Sequence, residues 1–274
     1  MKARGWIRRT LLAACMSVTG VGLLAQQAQE KQKPFEPYSG QPGKDVVWVP
    51  TPQVLVDKML DMAKLTPQDI HYDLGSGDGR TVISAAKRGA TAFGIEFNPD
   101  MVNLSKKNAT AAGVNGKATF IEGDIFKSDF SKATVITLFL LPDLNVRLRP
   151  TILDMKPGTR VVSNTFTMGD WDADETATVE NCSSWCTALL WIVPAKVAGT
   201  WTLPAGTLTL TQNYQNLAGT LGSDKISEGK MRGDQISFTA GGTKYTGRVT
   251  GATMEGSATG GTHAGAWKAA RAGR

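Results

Sequence analysis

Cysteine and histidine are scarce in this chain, with 3 and 2 residues among 274. Zinc at Cys182 and Cys186 would need further ligands, and His71 and His263 lie far away in sequence. Basic runs are missing as well once the first 25 residues are set aside. That segment holds four of the 30 Lys and Arg and no acid, which leaves 26 basic against 24 acidic residues. The net charge of +6 therefore falls to +2, and nothing downstream argues for a nucleic-acid partner. A charged fraction of 20% with 41% hydrophobic residues fits a folded chain rather than a disordered one. The dinucleotide pattern G-x-G-x-x-G is also absent, since the glycines fall at Gly75, Gly77 and Gly79.

The amino terminus has its own logic. Lys2, Arg4, Arg8 and Arg9 precede an uncharged, largely apolar run from Thr10 to Ala25, which the polar stretch Gln26 to Lys31 follows. That order predicts a secretory signal peptide, too short for a comfortable membrane span. Export to the periplasm is the expectation, with no stable span after cleavage. Arg8-Arg9-Thr10-Leu11-Leu12 resembles a twin-arginine signal. Leu12-Ala13-Ala14-Cys15 looks like a lipobox, but the apolar run ahead of Cys15 is short, so lipid anchoring is the weaker reading. Cys182 and Cys186 flank a short loop. An oxidising compartment would join them as a disulfide, and the alternative is a pair of reduced thiols.

Four segments are expected: a leader at 1–25, a Pro- and Gly-rich linker or surface arm at 26–45, an α/β domain at 46–195 and a small all-β domain at 196–274. Within the α/β domain, Thr51 and Pro52 suit a helix start. Strands are predicted at Ile70–Leu74, Ala92–Glu96, Ala118–Glu122, Thr134–Leu140 and Thr159–Ser163, with helices between them. The alternation implies a parallel, doubly wound, Rossmann-like sheet, with the apolar fourth strand at its centre. Thr176–Glu180 and Thr187–Val193 read as a closing hairpin with the cysteines at its tip. Beyond Pro194 short alternating runs separated by turns predict a barrel or sandwich. Trp201 and Trp267 there are read as core residues, with pocket lining as the alternative.

The chemistry sits in Asp73-Leu74-Gly75-Ser76-Gly77-Asp78-Gly79-Arg80. Glycines at alternate positions let backbone approach a bound nucleoside and accept positive φ. Asp73 beside that turn can accept from an ammonium group. Glu96, at the second strand end, can accept both ribose hydroxyls. Asp124, after the third strand, can meet an adenine amino group, with Ile125 or Phe126 on the ring. Ser76 and Asn98 complete the candidate cofactor set. Each carboxylate alone could be a solvated strand end; three in order on one α/β pattern carry the signal together.

These residues resemble class I S-adenosylmethionine-dependent methyltransferases. The spelling DLGSGDGR, Gly94-Ile95-Glu96-Phe97-Asn98-Pro99, Gly123-Asp124-Ile125-Phe126 and Val49-Pro50-Thr51-Pro52 resemble the small seven-β-strand protein-lysine enzymes acting on an ATP-synthase subunit or adenine nucleotide translocase. The resemblance spans roughly residues 46–194. It implies a seven-stranded sheet, S-adenosylmethionine as cofactor and a protein lysine as acceptor. It also implies that Gly75 and Gly77 contact the cofactor, Glu96 the ribose and Asp124 the adenine. The fourth strand ends in Leu138-Phe139-Leu140-Leu141-Pro142, unlike the Asn/Asp-Pro-Pro-aromatic motif of enzymes that methylate adenine or glutamine, and no catalytic residue is assigned. Asp143, Asn145 and Asn164 fall near the expected mouth without being read as a base. Two other functions compete: a non-catalytic nucleoside-binding protein, and a lipocalin-like ligand or partner module beside a degenerate front domain.

Overall fold

The computed structural model describes residues 35–273, so the expectations for the leader, including Cys15, lie outside the described residues. From Glu36 onward the chain forms one compact unit. It opens with a small hairpin, β1 (Gln41–Pro42) against β2 (Val47–Trp48). Helix α1 (Gln53–Met62) follows, with Leu55, Val56, Met59 and Leu60 buried at the i, i+1, i+4, i+5 spacing of one helical stripe. Its N-cap is Pro52, without a side-chain cap. The Thr51 hydroxyl instead accepts from Asn164 Nδ2 at 3.3 Å, which corrects the expected role of Thr51 in starting this helix.

The α/β core then runs β3 (Ile70–Leu74), α2 (Arg80–Lys87), β4 (Thr91–Glu96), α3 (Pro99–Ala111), β5 (Ala118–Glu122), β6 (Val135–Leu138), α4 (Pro142–Leu153), β7 (Arg160–Asn164), β8 (Glu175–Thr178) and β9 (Thr187–Ile192). The sheet order is β5-β4-β3-β6-β7-β9-β8, with β9 antiparallel to both neighbours and the other pairings parallel. All four residues of β6 are buried, as a central parallel strand requires. It is shorter than expected because Phe139 and Leu140 leave the ladder. Helix α4 begins at Pro142, two residues earlier than the apolar pattern suggests, because proline suits a first helical turn.

Eight strands from Gly199–Leu203 to Gly265–Arg271 close a separate antiparallel barrel, and a ninth, Asp224–Lys225, has two residues. Its interior is filled. Trp201, Leu208, Met231, Phe238, Tyr245 and Met254 are buried, and Trp267 is 7% exposed. Both tryptophans are thus core residues, and a lipocalin-like cavity has no room among them.

The barrel joins the sheet at the end opposite the tip of the β8–β9 hairpin. Ala195 N–H donates to Gly233 O at 2.8 Å. The Tyr214 ring stacks on Trp171 at 5.8 Å, its hydroxyl donates to Asp170 at 3.0 Å, and Arg149 lies over its face. Gln215 adds a hydrogen bond to Asp172 O at 2.9 Å. Tyr214→Ala is expected to lower stability by about 1–2 kcal/mol in urea unfolding, from the lost stack and hydrogen bond. Cofactor affinity by calorimetry should stay unchanged, because Tyr214 does not border the cleft described next.

Candidate functional site

The site forms where β3, β4 and β6 end. Gly75 (φ 81°), Gly77 (φ 53°) and Gly79 (φ 82°) all take left-handed backbone, which only glycine adopts without cost. The turn is anchored by two N–H groups, Gly75 and Ser76, that donate to Ile95 O at 2.9 and 3.0 Å. Its far side is tied to α3, where the Ser105 hydroxyl donates to Gly77 O at 2.8 Å and Asn108 Nδ2 to Asp78 O. Arg80 forks onto the Asp78 carboxylate and reaches Thr51 O at 2.9 Å, joining the turn to the segment before α1.

Asp73 is 7% exposed beneath this turn. Thr137 Oγ1 donates to its carboxylate at 2.6 Å, and His71 Nε2 lies 2.8 Å from the same hydroxyl. A hydroxyl has one proton to give. With Asp73 ionised, His71 therefore donates through Nε2 and leaves Nδ1 without a partner, as it is found. Burial holds His71 neutral, with its pKa down at about 3. Burial likewise pushes Asp73 up to about 7; Thr137 opposes this, while the charges of Glu96 and Asp78 reinforce it.

Glu96 braces the turn: Oε2 accepts from Gly77 N–H and Oε1 from Asn98 N–H, both at 2.9 Å. Asn98 caps α3, its side-chain oxygen accepting from Asp100 N–H at 2.9 Å with Pro99 next. Asp124 lies two residues beyond β5. One oxygen accepts from Phe126 N–H and the other from Lys44 at 3.0 Å, and these bonds hold its carboxyl below the usual carboxylate range. Ser76 is buried, and its hydroxyl has no hydrogen-bond partner.

All eight sequence-predicted cofactor residues, Asp73, Gly75, Ser76, Gly77, Glu96, Asn98, Asp124 and Ile125, line one cleft. Sequence patterning gives no sign of the first hairpin there. Residues 41–51 form another wall of the cleft: Trp48 lies so close to the glycine turn that a Cβ on Gly77 would fall 2.4 Å from its Nε1. Lys44 sits 5.2 Å from the Phe97 ring centroid as well as on Asp124. Lys44 and Trp48 lie in or beside a stretch whose Pro and Gly content reads as a linker, and only their tertiary partners reveal the role. Among the described residues, no barrel residue lines the cleft.

Cys182 and Cys186 form the disulfide, at the hairpin tip on the cleft side of the sheet. No cluster of three or more metal-ligating side chains exists among the described residues.

The donor set fits S-adenosylmethionine. A buried carboxylate, a Cβ-free turn and two further carboxylates at successive strand ends answer the ammonium, the chain and the nucleoside of that molecule.

Comparison with known proteins agrees. The ANTKMT methyltransferase domain family matches residues 73–175. A protein-lysine N-methyltransferase of Saccharolobus islandicus is 41% identical over 151 residues, 54% of this chain and 94% of that protein. The adenine nucleotide translocase lysine N-methyltransferase of Mus musculus is 31% identical over 118 residues, 42% of this chain and 51% of that protein. A solved structure described as an RNA methyltransferase from Salinibacter ruber, in complex with S-adenosyl-L-homocysteine, is 46% identical with a TM-score of 0.52. It covers 54% of this chain and 96% of its own. The chain belongs to the S-adenosylmethionine-dependent protein-lysine methyltransferase family.

Proposed function

We propose that this protein transfers a methyl group to a protein lysine outside the cytoplasm, with the cleft residues holding S-adenosylmethionine. The observation that carries the cofactor geometry is the convergence of Asp73, Glu96 and Asp124 on one cleft around the glycine turn. In this reading Asp73 pairs with the cofactor ammonium, and the Gly75 and Gly77 backbone lies along it. Glu96 takes the ribose hydroxyls, and Asp124 with Ile125 takes the adenine. The cofactor supplies an activated methyl on a sulfonium. The protein then has to orient, desolvate and admit the acceptor.

Trp48 packs against the glycine turn and Lys44 pairs with Asp124 beside it. Pro50, Thr51 and Phe139 border the same cleft. Asn145 and Asn164 are committed to structure, donating to the backbone near Phe166 and to Thr51, so neither serves as a base. The lysine reading is supported by the Saccharolobus islandicus relative and by a fourth strand without the base-methylating motif. The Salinibacter ruber structure supports an RNA acceptor as the second reading. Radiolabelled methyl transfer into a cell-envelope extract separates them: label surviving nuclease and recovered as methyl-lysine supports the first, and label lost to nuclease the second.

Glu96→Ala is expected to weaken S-adenosylmethionine binding by about 10- to 100-fold in calorimetry, the usual loss for a charged acceptor serving two hydroxyls. Glu96→Gln, which keeps one acceptor, should lose less.

Export is supported by the basic start, the uncharged run Thr10 to Ala25 and the disulfide at Cys182–Cys186. Fractionation with a carboxy-terminal tag tests it. Recovery of a shortened chain with the periplasm is expected, and recovery of the full-length chain in the cytosol overturns it.

A further inference from the structure

Three aromatic rings meet beside the cofactor cleft without belonging to any core. Phe139 follows β6, Phe166 follows β7, and Trp185 stands in the disulfide-closed loop between β8 and β9. Their centroids lie 5.3 Å (Phe166–Trp185), 5.7 Å (Phe139–Trp185) and 6.0 Å (Phe139–Phe166) apart. Phe139 also lines the cleft, so the aromatic wall continues directly from it. Phe139 and Phe166 are half-buried and Trp185 is 39% exposed, whereas Trp171, Trp191 and Trp201 are fully buried. Among the described residues, none of the three rings is part of a hydrophobic core cluster.

The backbone is strained to put the rings there. Thr165, next to Phe166, has φ 61°, and Trp185 has φ 58°. A β-branched or bulky residue in that region is an outlier, and such strain persists only where the surroundings impose it. The surroundings do so. Thr165 N–H donates to Thr187 O at 2.7 Å, and buried Asn145 donates to Phe166 O and Thr167 O at 3.2 Å. The Cys182–Cys186 disulfide closes the loop one residue beyond Trp185. This loop lies beyond the residues that the family match covers, which end at 175.

We infer that Phe139, Phe166 and Trp185 form the wall that receives the acceptor lysine side chain, with the disulfide as the staple that presents Trp185. The inference rests on the protein-lysine reading above. A lysine side chain couples an apolar stem to a cationic head, and a methylated head is weakly hydrated. Aromatic faces suit both parts, through contact with the stem and cation–π attraction to the head. The same wall desolvates the amine, and desolvation lowers a lysine pKa toward the neutral form that can act as nucleophile. Trp185 is a specificity residue in this account. It touches substrate at the entrance and leaves the cofactor alone.

The test uses the full mature chain loaded with S-adenosylhomocysteine and the probe N-acetyl-Nε-trimethyl-lysine amide. The indole N–H resonance of Trp185, assigned by its loss in Trp185→Phe, is followed by NMR. The expected result is a saturable shift, with roughly fivefold weaker binding of the uncharged carbon isostere of the probe. Trp185→Ala should remove the probe affinity, Trp185→Phe should restore part of it, and the Cys182→Ser/Cys186→Ser variant should weaken it. Cofactor affinity should not change in any of these. A Trp185 resonance that ignores the probe, or equal binding of the carbon isostere, overturns the inference. The two readings fail separately. Extract label found in RNA removes the lysine function whatever the titration shows, whereas methyl-lysine in the extract with an unresponsive Trp185 removes only the wall.

Discussion

Replacing Asp73 with asparagine is expected to weaken S-adenosylmethionine binding at pH 8 by about 10- to 100-fold and to abolish the pH dependence of binding. In the wild type, affinity should rise about tenfold from pH 6 to pH 8 if Asp73 pairs with the cofactor ammonium as proposed, because this carboxyl titrates at about 7. Below that pH the site presents a neutral acid, which cannot form the ion pair. Calorimetry at three pH values checks both statements, and a flat wild-type profile would sink the assignment.

The same group makes the apoprotein pH-sensitive in the opposite sense. Its folded pKa lies above the ordinary 3.8, chiefly through burial. Its stabilising contribution is therefore complete below that value and is lost as pH rises through about 7. Between pH 5.5 and 8 this amounts to about 2 kcal/mol of lost stability, which urea unfolding of wild type against Asp73→Asn should reveal. Saturating cofactor should narrow the difference, since its ammonium offsets the buried charge.

The largest structural effect is expected away from the cleft. Arg160→Ala should destabilise the protein by about 1–3 kcal/mol at pH 7, because it strips hydrogen bonds from the buried Asp69 carboxylate while the guanidinium itself stays 22% exposed. Arg160 Nη2 bonds to Asp69, which is 7% exposed, and Nη1 donates to Ala63 O at 2.8 Å. The pair thus ties β7 to the turn between α1 and β3. Burial alone would raise the Asp69 pKa, but hydrogen bonds from Thr134, Arg160 and Thr66 outweigh it and hold it below the ordinary value. That contribution is present above pH 3.8 and is lost as acid protonates the folded carboxyl. The gap between wild type and variant should accordingly shrink in unfolding experiments near pH 3.5, and a gap independent of pH would count against the ion pair as its origin.

The cleft was legible to the extent that its parts are local in sequence. Glycines at positions 75, 77 and 79 after a strand announce left-handed turns, and the structure finds all three there. Asn98-Pro99 announces a helix start, and Asn98 caps α3. The hairpin at β8–β9 was legible from two alternating runs, and the disulfide from two cysteines across a short loop. The misses share a cause. Thr51 looked like a helix start, but its hydroxyl is engaged by Asn164, a residue 113 positions away. Lys44 and Trp48 looked like surface-arm residues. Their partners, Asp124 and the turn at Gly77, become neighbours only when the arm folds across the sheet. His71 drew notice only as a distant metal ligand, whereas its neutrality and its link to Asp73 depend on Thr137 from the adjacent strand.

By itself the sequence determined the order of strands and helices from α1 to β9, an all-β barrel or sandwich beyond them, and the cofactor. Hydrophobic period, glycine spacing and acidic strand ends are short-range signals that backbone sterics convert directly into structure. Tertiary structure alone decided which face each loop serves. The register Asn164↔Ala188 between β7 and β9 sends the Cys182–Cys186 loop to the cleft side, and the bond from Ala195 to Gly233 at the other end of β9 holds the barrel there. It also decided that a buried carboxylate at Asp73 would titrate near neutrality, because desolvation depends on what surrounds a group and not on what precedes it in the chain.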